Sequence, residues 1–194
     1  MKDVLVSLKP YFYYLIGEGI KTREIRKTFP KADDWSRNTW FYMSKDENSF
    51  AKIPKEFQDK YRKHFGKVGL KCVCDKIYDI TPHFDTPTFP NRYICGWDYG
   101  RGFDCLSFEE LTSYLNGKQG YGWHITDLVI YDKPKELGEF KTFCKNYYDG
   151  NCTECKYFID GRGYEYDESD CGCNGLKPIE RPPQSWCYVE EMEV

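Results

Sequence analysis

Lys21, Glu24 and Arg26 stand close together in the stretch Gly19-Ile20-Lys21-Thr22-Arg23-Glu24-Ile25-Arg26, where two cations flank one carboxylate. Such a set can recognise a ligand in two ways at once. The carboxylate accepts hydrogen bonds from a base edge, while the cations meet phosphate or carbonyl oxygens. The stretch reads as a glycine turn opening into a strand over Lys21 to Thr28. Side chains alternate along a strand, so Glu24 and Arg26 share one face and Ile25 packs against the core from the other. Lys21 stays in the turn and can bend over the Glu24 and Arg26 face. The same charges also suit an exposed edge strand that resists aggregation, with Glu24 and Arg26 a surface pair contributing under about 1 kcal/mol.

A second group with chemical potential lies downstream: Cys144, Cys152, Cys155, Cys171, Cys173 and Cys187. Cys152-Thr153-Glu154-Cys155 is a C-x-x-C knuckle, which presents two thiolates to one tetrahedral zinc through a tight turn. A second pair from Cys171, Cys173, Cys144 or Cys187 would close the site, with Cys144 and one of Cys171 or Cys173 the favoured pair, and a site of four thiolates has no open position, so its role is structural. Tyr147, Tyr148, Tyr157, Phe158 and Ile159 are the obvious packing residues of this stretch. They are too few to order it, so metal binding would drive its folding. An iron–sulfur cluster or a set of reduced thiols fits the same residues. Cys72 and Cys74, two apart in a strand, point to one face and read as core packing rather than as a metal pair.

Length and composition bound what can position these groups. The 194 residues, 18% aromatic, have room for one core-bearing domain and an appendage. There is no run of 18 apolar residues, and Met1-Lys2-Asp3-Val4-Leu5 leads straight into a strand without a signal-peptide shape. The expectation is a cytoplasmic protein with no membrane partner, whose reduced cysteines favour metal over disulfides. The formal net charge of -3 is unevenly spread. Residues 1–71 carry 16 Lys/Arg against 9 Asp/Glu, and residues 72–194 carry 12 against 22. A phosphate-bearing partner is drawn to the first half and repelled by the second, which favours a localised nucleotide or RNA contact. Lys55, Lys60, Arg62, Lys63 and Lys67 also fit a plain solvated helix face.

The elements follow from periodicity and punctuation. Val4 to Leu8 alternates as a strand, Pro10 suits the first turn of a short helix ending at Gly17, and Asn38 to Ser44 is a strand rich in β-formers. Phe57, Tyr61, His64 and Phe65 mark a helix over Pro54 to Phe65, closed by Gly66. Val68 to Tyr78 returns to strand. Thr81 to Gly102 has no period and reads as a long loop. Ser107 and Glu110 form a capping box for a helix reaching Gly117, and Trp123 to Tyr131 is a further strand. Pro182-Pro183 is a stiff connector to a last strand at Ser185 to Val189 that could add to the sheet.

Taken in order, G-x-K-x-x-E-x-R at Gly19 to Arg26 follows Ser7-Leu8-Lys9-Pro10, and Trp123-His124-Ile125-Thr126-Asp127-Leu128 runs on to Asp132-Lys133-Pro134. This pattern resembles the ASCH domain of the PUA-like superfamily, in the form common in bacteria and their phages, over residues 4 to about 140. The resemblance implies an α+β fold: a PUA-like mixed β-barrel with flanking short helices. It implies residues 1–140 as the domain, with a helical insertion at about 50–66, and residues 141–194 as a cysteine-rich extension.

The resemblance also implies that Lys9, Lys21, Glu24, Arg26, Ser44, Trp123 and His124 converge on one cleft for RNA, a nucleotide or a modified nucleoside. Trp123 would offer a stacking face there, or fill the core, and His124 a base, or a structural histidine. Some proteins of this kind are amidohydrolases acting on N4-acetylated cytidine through the motif lysine, a threonine two residues before the motif arginine and a downstream glutamate. This chain has Glu24 at that threonine position, and a carboxylate does not replace an activated hydroxyl as nucleophile. Others are associated with ribonuclease activity, for which Lys21 with Glu24 or His124 would supply cation and base. A protein-interaction module built on the extension is a third reading. The oligomeric state is left open.

Overall fold

Val4, Leu5 and Val6 are all fully buried, so the first strand packs on both faces and belongs in the middle of a sheet. The computed structural model describes residues 2–31, 38–83, 92–95, 105–145 and 175–192, and places this strand, β1 (Lys2–Leu8), between two partners. The elements after it are α1 (Pro10–Gly17), β2 (Arg23–Arg26), β3 (Asn38–Met43), α2 (Glu47–Phe50), α3 (Lys55–Arg62), β4 (Val68–His83) and β5 (Arg92–Cys95). Then come α4 (Phe108–Leu115), β6 (Gly120–Lys135), a 3-10 turn at Leu137–Glu139, β7 (Lys141–Phe143), β8 (Leu176–Pro178) and β9 (Trp186–Glu190). The main sheet runs β2-β6-β4-β3-β1-β9, with β5 on β4. β1 is parallel to β3 and antiparallel to β9, so the sheet is mixed. It curls into a half-barrel with short helices around it, a mixed α+β architecture.

Two apolar layers follow from the strand alternation. The inner face of the curl holds Val4, Val6, Leu8, Phe41, Met43, Leu70, Cys72, Cys74 and Trp123, closed off by Tyr13, Tyr14, Leu15 and Ile16 of α1. Pro10 opens α1 at its first turn, where the missing N–H costs no hydrogen bond. The outer face has two covers. Phe140 and Ile179 pack there on Leu5, Trp40, Tyr42, Val68 and Val189. Leu111 and Leu115 of α4 pack on Ile25 and Ile80. The capping box of Ser107 and Glu110 starts α4 as the residues demand.

The last strand does add to the sheet: β9 pairs with β1 from Lys2↔Glu190 to Val6↔Trp186. Asp3, fully buried, accepts from Trp40 Nε1 at 2.8 Å and from the Met192 N–H at 3.3 Å, which anchors the end of β9 to the start of β1. The stretch after Thr81 is not wholly loop. β4 continues to His83 and pairs with β5, Ile80↔Cys95 to His83↔Arg92. Four residues, of which Tyr93 and Ile94 are β-formers, in a Pro- and Gly-rich context are too few to show a period. α2 is likewise too short to read from pattern, although Asp46 caps it through the Ser49 N–H at 2.9 Å.

Four of the five cationic residues around α3 are matched by carboxylates from other elements: Lys60 with Glu18 (2.6 Å), Arg62 with Glu47 (3.0 Å), Lys63 with Asp132 (3.4 Å) and Lys67 with Glu136 (2.6 Å). This favours the plain solvated face over a phosphate-binding one. Among the described residues no helix is long and apolar enough to cross a membrane.

Candidate functional site

β2 is an end strand of the sheet, yet all four of its residues are buried, which overturns the expectation of an exposed edge. α4 covers Ile25 from outside, and the curl turns Glu24 and Arg26 inward. The chain reaches β2 through Gly19, whose φ of 69° lies in the left-handed region open to glycine. The Ile20 and Lys21 N–H groups both donate to the Leu15 carbonyl at 2.9 Å, so the end of α1 holds the turn.

Lys21, Glu24 and Arg26 then meet in the interior. Lys21 Nζ lies 3.6 Å from Glu24 Oε2, and Arg26 Nη2 lies 2.9 Å from Glu24 Oε1. Their side chains are 2%, 8% and 7% exposed, so this is a buried triad rather than a surface pair. Lys21 Nζ also stands over the Phe12 ring, 5.7 Å from its centroid. Arg26 reaches furthest. Its Nη2 donates to the Ser7 carbonyl at 2.7 Å, and its Nη1 to the carbonyl and the Oγ of Ser185, both at 3.2 Å. Its Nε is buried with no hydrogen-bond partner among the described residues.

Trp123 joins the triad. It is the register partner of Glu24 across β2 and β6, so both lie on the inner face. It is 1% exposed and touches Trp186 edge to face at 5.9 Å. Its ring is thus part of the inner core, as well as a wall beside the carboxylate. Cys72 is close by on the same face, and burial first, then the neighbouring Cys74 thiol and Glu24 carboxylate, push its thiol well above the ordinary range. Cys74 is pushed up to about 12, chiefly by burial. Both thiols are core groups at neutral pH.

The other expected members are elsewhere. His124 pairs in register with Arg23, which puts it on the outer face, opposite to Trp123. There its Nδ1 meets Asp75 Oδ1 at 2.6 Å, its ring meets Tyr78 edge to face, and the Arg23 guanidinium stands over the same Tyr78 ring. Lys9 is exposed just before α1, and Ser44 follows β3, its N–H donating to the Leu8 carbonyl at 2.8 Å. Neither side chain bonds to the triad among the described residues. Sequence reasoning missed Phe12, Ser7 and Ser185. A carbonyl such as that of Ser7 leaves no trace in residue type, and Ser185 was marked only as the start of a strand.

Of the expected metal ligands, Cys152, Cys155, Cys171 and Cys173 lie outside the described residues. Cys144 is buried, and its N–H donates to the Gly175 carbonyl at 2.7 Å, where β7 and β8 pair. Among the described residues no group of three His, Cys, Asp or Glu side chains could hold a metal ion.

No protein-family model and no curated protein matches the chain. Solved structures similar to it are those of an ASCH protein from Zymomonas mobilis. A tyrosine-to-phenylalanine mutant is 16% identical, covering 98% of this chain and 92% of its own, with a TM-score of 0.48. A serine-to-alanine mutant (16%, 98% and 89%, TM-score 0.47) and the unmutated protein (17%, 98% and 89%, TM-score 0.46) are similar in the same way. The name ASCH that these structures carry is that of the family whose motifs the sequence resembles.

Proposed function

We propose that the chain binds a nucleotide or a segment of RNA at the inner end of β2, through Lys21, Glu24 and Arg26. The observation that carries this reading is the burial of three ionised groups together, each less than a tenth exposed. A buried ion pair is poor evidence of stabilisation, because desolvating the charges offsets their attraction. Recognition explains the set better. Glu24 accepts from the N–H groups of a base edge, and Lys21 and the uncommitted Nε of Arg26 donate to base carbonyl or phosphate oxygens. His124 has no part in this reading, since it faces the other way.

The test is a titration of the full chain with nucleotides and short RNA, followed by tryptophan fluorescence, because Trp123 adjoins the triad. Binding that falls at least tenfold in Lys21→Ala, with melting temperature retained, supports the reading. Unchanged affinity in Lys21→Ala removes it.

A second reading concerns the cysteine-rich segment, which we propose is a structural zinc site built from Cys144, Cys152, Cys155 and one of Cys171 or Cys173. The bond from the Cys144 N–H to the Gly175 carbonyl supports it, because Gly175 follows Cys173 by only two residues in the sequence. Zinc per chain, measured in protein purified without added metal, is expected near one equivalent and near zero in Cys144→Ser. Metal-free wild-type protein with an unchanged melting temperature in a chelator rejects the site.

A further inference from the structure

The two ends of the sheet, β2 and β9, face each other without a backbone ladder among the described residues. Side chains close the seam. After the Arg26 bonds to Ser185, Trp186 Nε1 donates to Thr28 Oγ1 at 3.0 Å and the Lys31 N–H donates to the Tyr188 hydroxyl at 3.1 Å. The residues that follow β2 therefore run alongside β9, and the surface they make there alternates aromatic rings with cations. Phe29 is 40% exposed and leans on Tyr121 with ring centres 4.6 Å apart. Tyr121 is the register partner of Arg26, which sets this ring pair directly beside the triad. Trp186 and Tyr188 share one face of β9, touch edge to face at 5.4 Å, and are both half-buried. Lys27 and Lys31 are exposed on either side of Phe29.

We infer that the seam is a track for a single-stranded oligonucleotide, continuous with the triad: one base at Glu24, its neighbour stacked on Phe29, and phosphates met by Lys27 and Lys31. This rests on the nucleotide-binding reading above and narrows it, since the ligand becomes a strand rather than a free mononucleotide. Aromatic faces hold unpaired bases whatever their identity, and in a duplex those faces are occupied by stacking within the helix. Trp123 and Tyr121 lie two residues apart on the inner face of β6, about 6.7 Å along the strand. That step is too long for one base to cover both, and it suits a base at Glu24 and the next on the Phe29 and Tyr121 pair. Lys27 and Lys31 extend from the same segment as Phe29, Lys27 with its Nζ over the Tyr114 ring of α4, 5.3 Å from the centroid.

The experiment uses the full chain, a fluorescein-labelled mixed-sequence RNA hexamer read by anisotropy, the matching DNA hexamer, and the four nucleoside monophosphates as competitors. The RNA or DNA hexamer is expected to bind at least tenfold more tightly than any monophosphate. Phe29→Leu, which keeps an apolar side chain in the seam, is expected to remove most of that advantage, about tenfold, with monophosphate affinity unchanged. Lys31→Ala is expected to lower the salt dependence of hexamer binding by about one counterion. Hexamer and monophosphates binding alike, or a hexamer indifferent to Phe29→Leu and Lys31→Ala, overturns the track. The parent reading fails separately, by indifference of every ligand to Lys21→Ala. If Phe29 merely plugs the seam, Phe29→Leu lowers the melting temperature and leaves hexamer affinity alone, which also overturns the track.

Discussion

Arg26 and Ser7 belong to strands that never pair, yet Arg26 Nη2 donates to the Ser7 carbonyl at 2.7 Å and joins β2 to β1 across the curl. The same guanidinium holds Ser185 at the entry to β9 and Glu24 within the triad. One side chain therefore links the binding groups to the closure of the sheet.

That link gives a measurable coupling. Glu24 and Arg26 are less than a tenth exposed, so their interaction is little screened by solvent. Arg26→Ala is expected to cost about 3–5 kcal/mol, because it leaves a buried carboxylate short of a partner. The double variant with Glu24→Gln should cost clearly less than the sum of the single changes, with a coupling above about 1 kcal/mol in a urea-unfolding cycle. Strict additivity would mean that water already screens the pair.

His64 makes stability depend on acid. It is fully buried, and its Nδ1 shares a hydrogen bond with the Tyr13 hydroxyl at 2.9 Å. Burial above all, then the Lys63 and Lys60 charges, lower its pKa from 6.5 to about 4. A group lowered in the folded state stabilises fully above its unfolded value. Between pH 6.5 and about 4 only the unfolded chain takes up the proton, and stability falls, by on the order of 3 kcal/mol in total. In His64→Gln that part of the pH dependence should vanish. An identical stability slope for the two proteins over this window would refute the assignment.

Gly69 is needed because His64 and Tyr13 approach the backbone there. A Cβ at residue 69 would overlap His64 Nδ1 and lie 2.8 Å from the Tyr13 hydroxyl. Gly69→Ala is expected to destabilise by about 1–3 kcal/mol, read as a lower urea midpoint at unchanged slope. A variant as stable as the parent would show that the ring pair can shift without cost.

Asp3 should matter far more than a carboxylate near the start of a chain ordinarily does. Asp3→Ala leaves Trp40 Nε1 buried without its acceptor at 2.8 Å. The expected cost is about 1–3 kcal/mol. Faster hydrogen exchange in both β1 and β9 would accompany it, since Asp3 also holds the Met192 N–H. Exchange confined to β1 would count against the anchor.

The parts legible in the sequence are those set by local physics. Alternation announced β1, a run of β-forming residues announced β3, Pro10 and Gly17 framed α1, and Ser107 with Glu110 marked the start of α4. The Glu24 and Arg26 pairing followed from the two-residue repeat of a strand. The same repeat, applied to Trp123 and His124, separates them onto opposite faces, so grouping both in one cleft contradicted a rule already in hand. The burial of β2 was not legible, because it depends on α4 packing over Ile25 from far along the chain. Nor were the Ser7 and Ser185 contacts, which exist only once the sheet has curled.

The placement of β9 beside β1 also sets a timetable. β1 is made well before its antiparallel neighbour, which begins only at residue 186. At ~5–20 residues per second, a typical rate of synthesis, that is a wait of roughly 10–40 s. Throughout it one edge of Val4-Leu5-Val6 has no strand to pair with. An unpaired apolar edge is a template for other chains. The nascent protein is therefore exposed to aggregation at β1 for that interval, and the arrival of β9 ends the hazard.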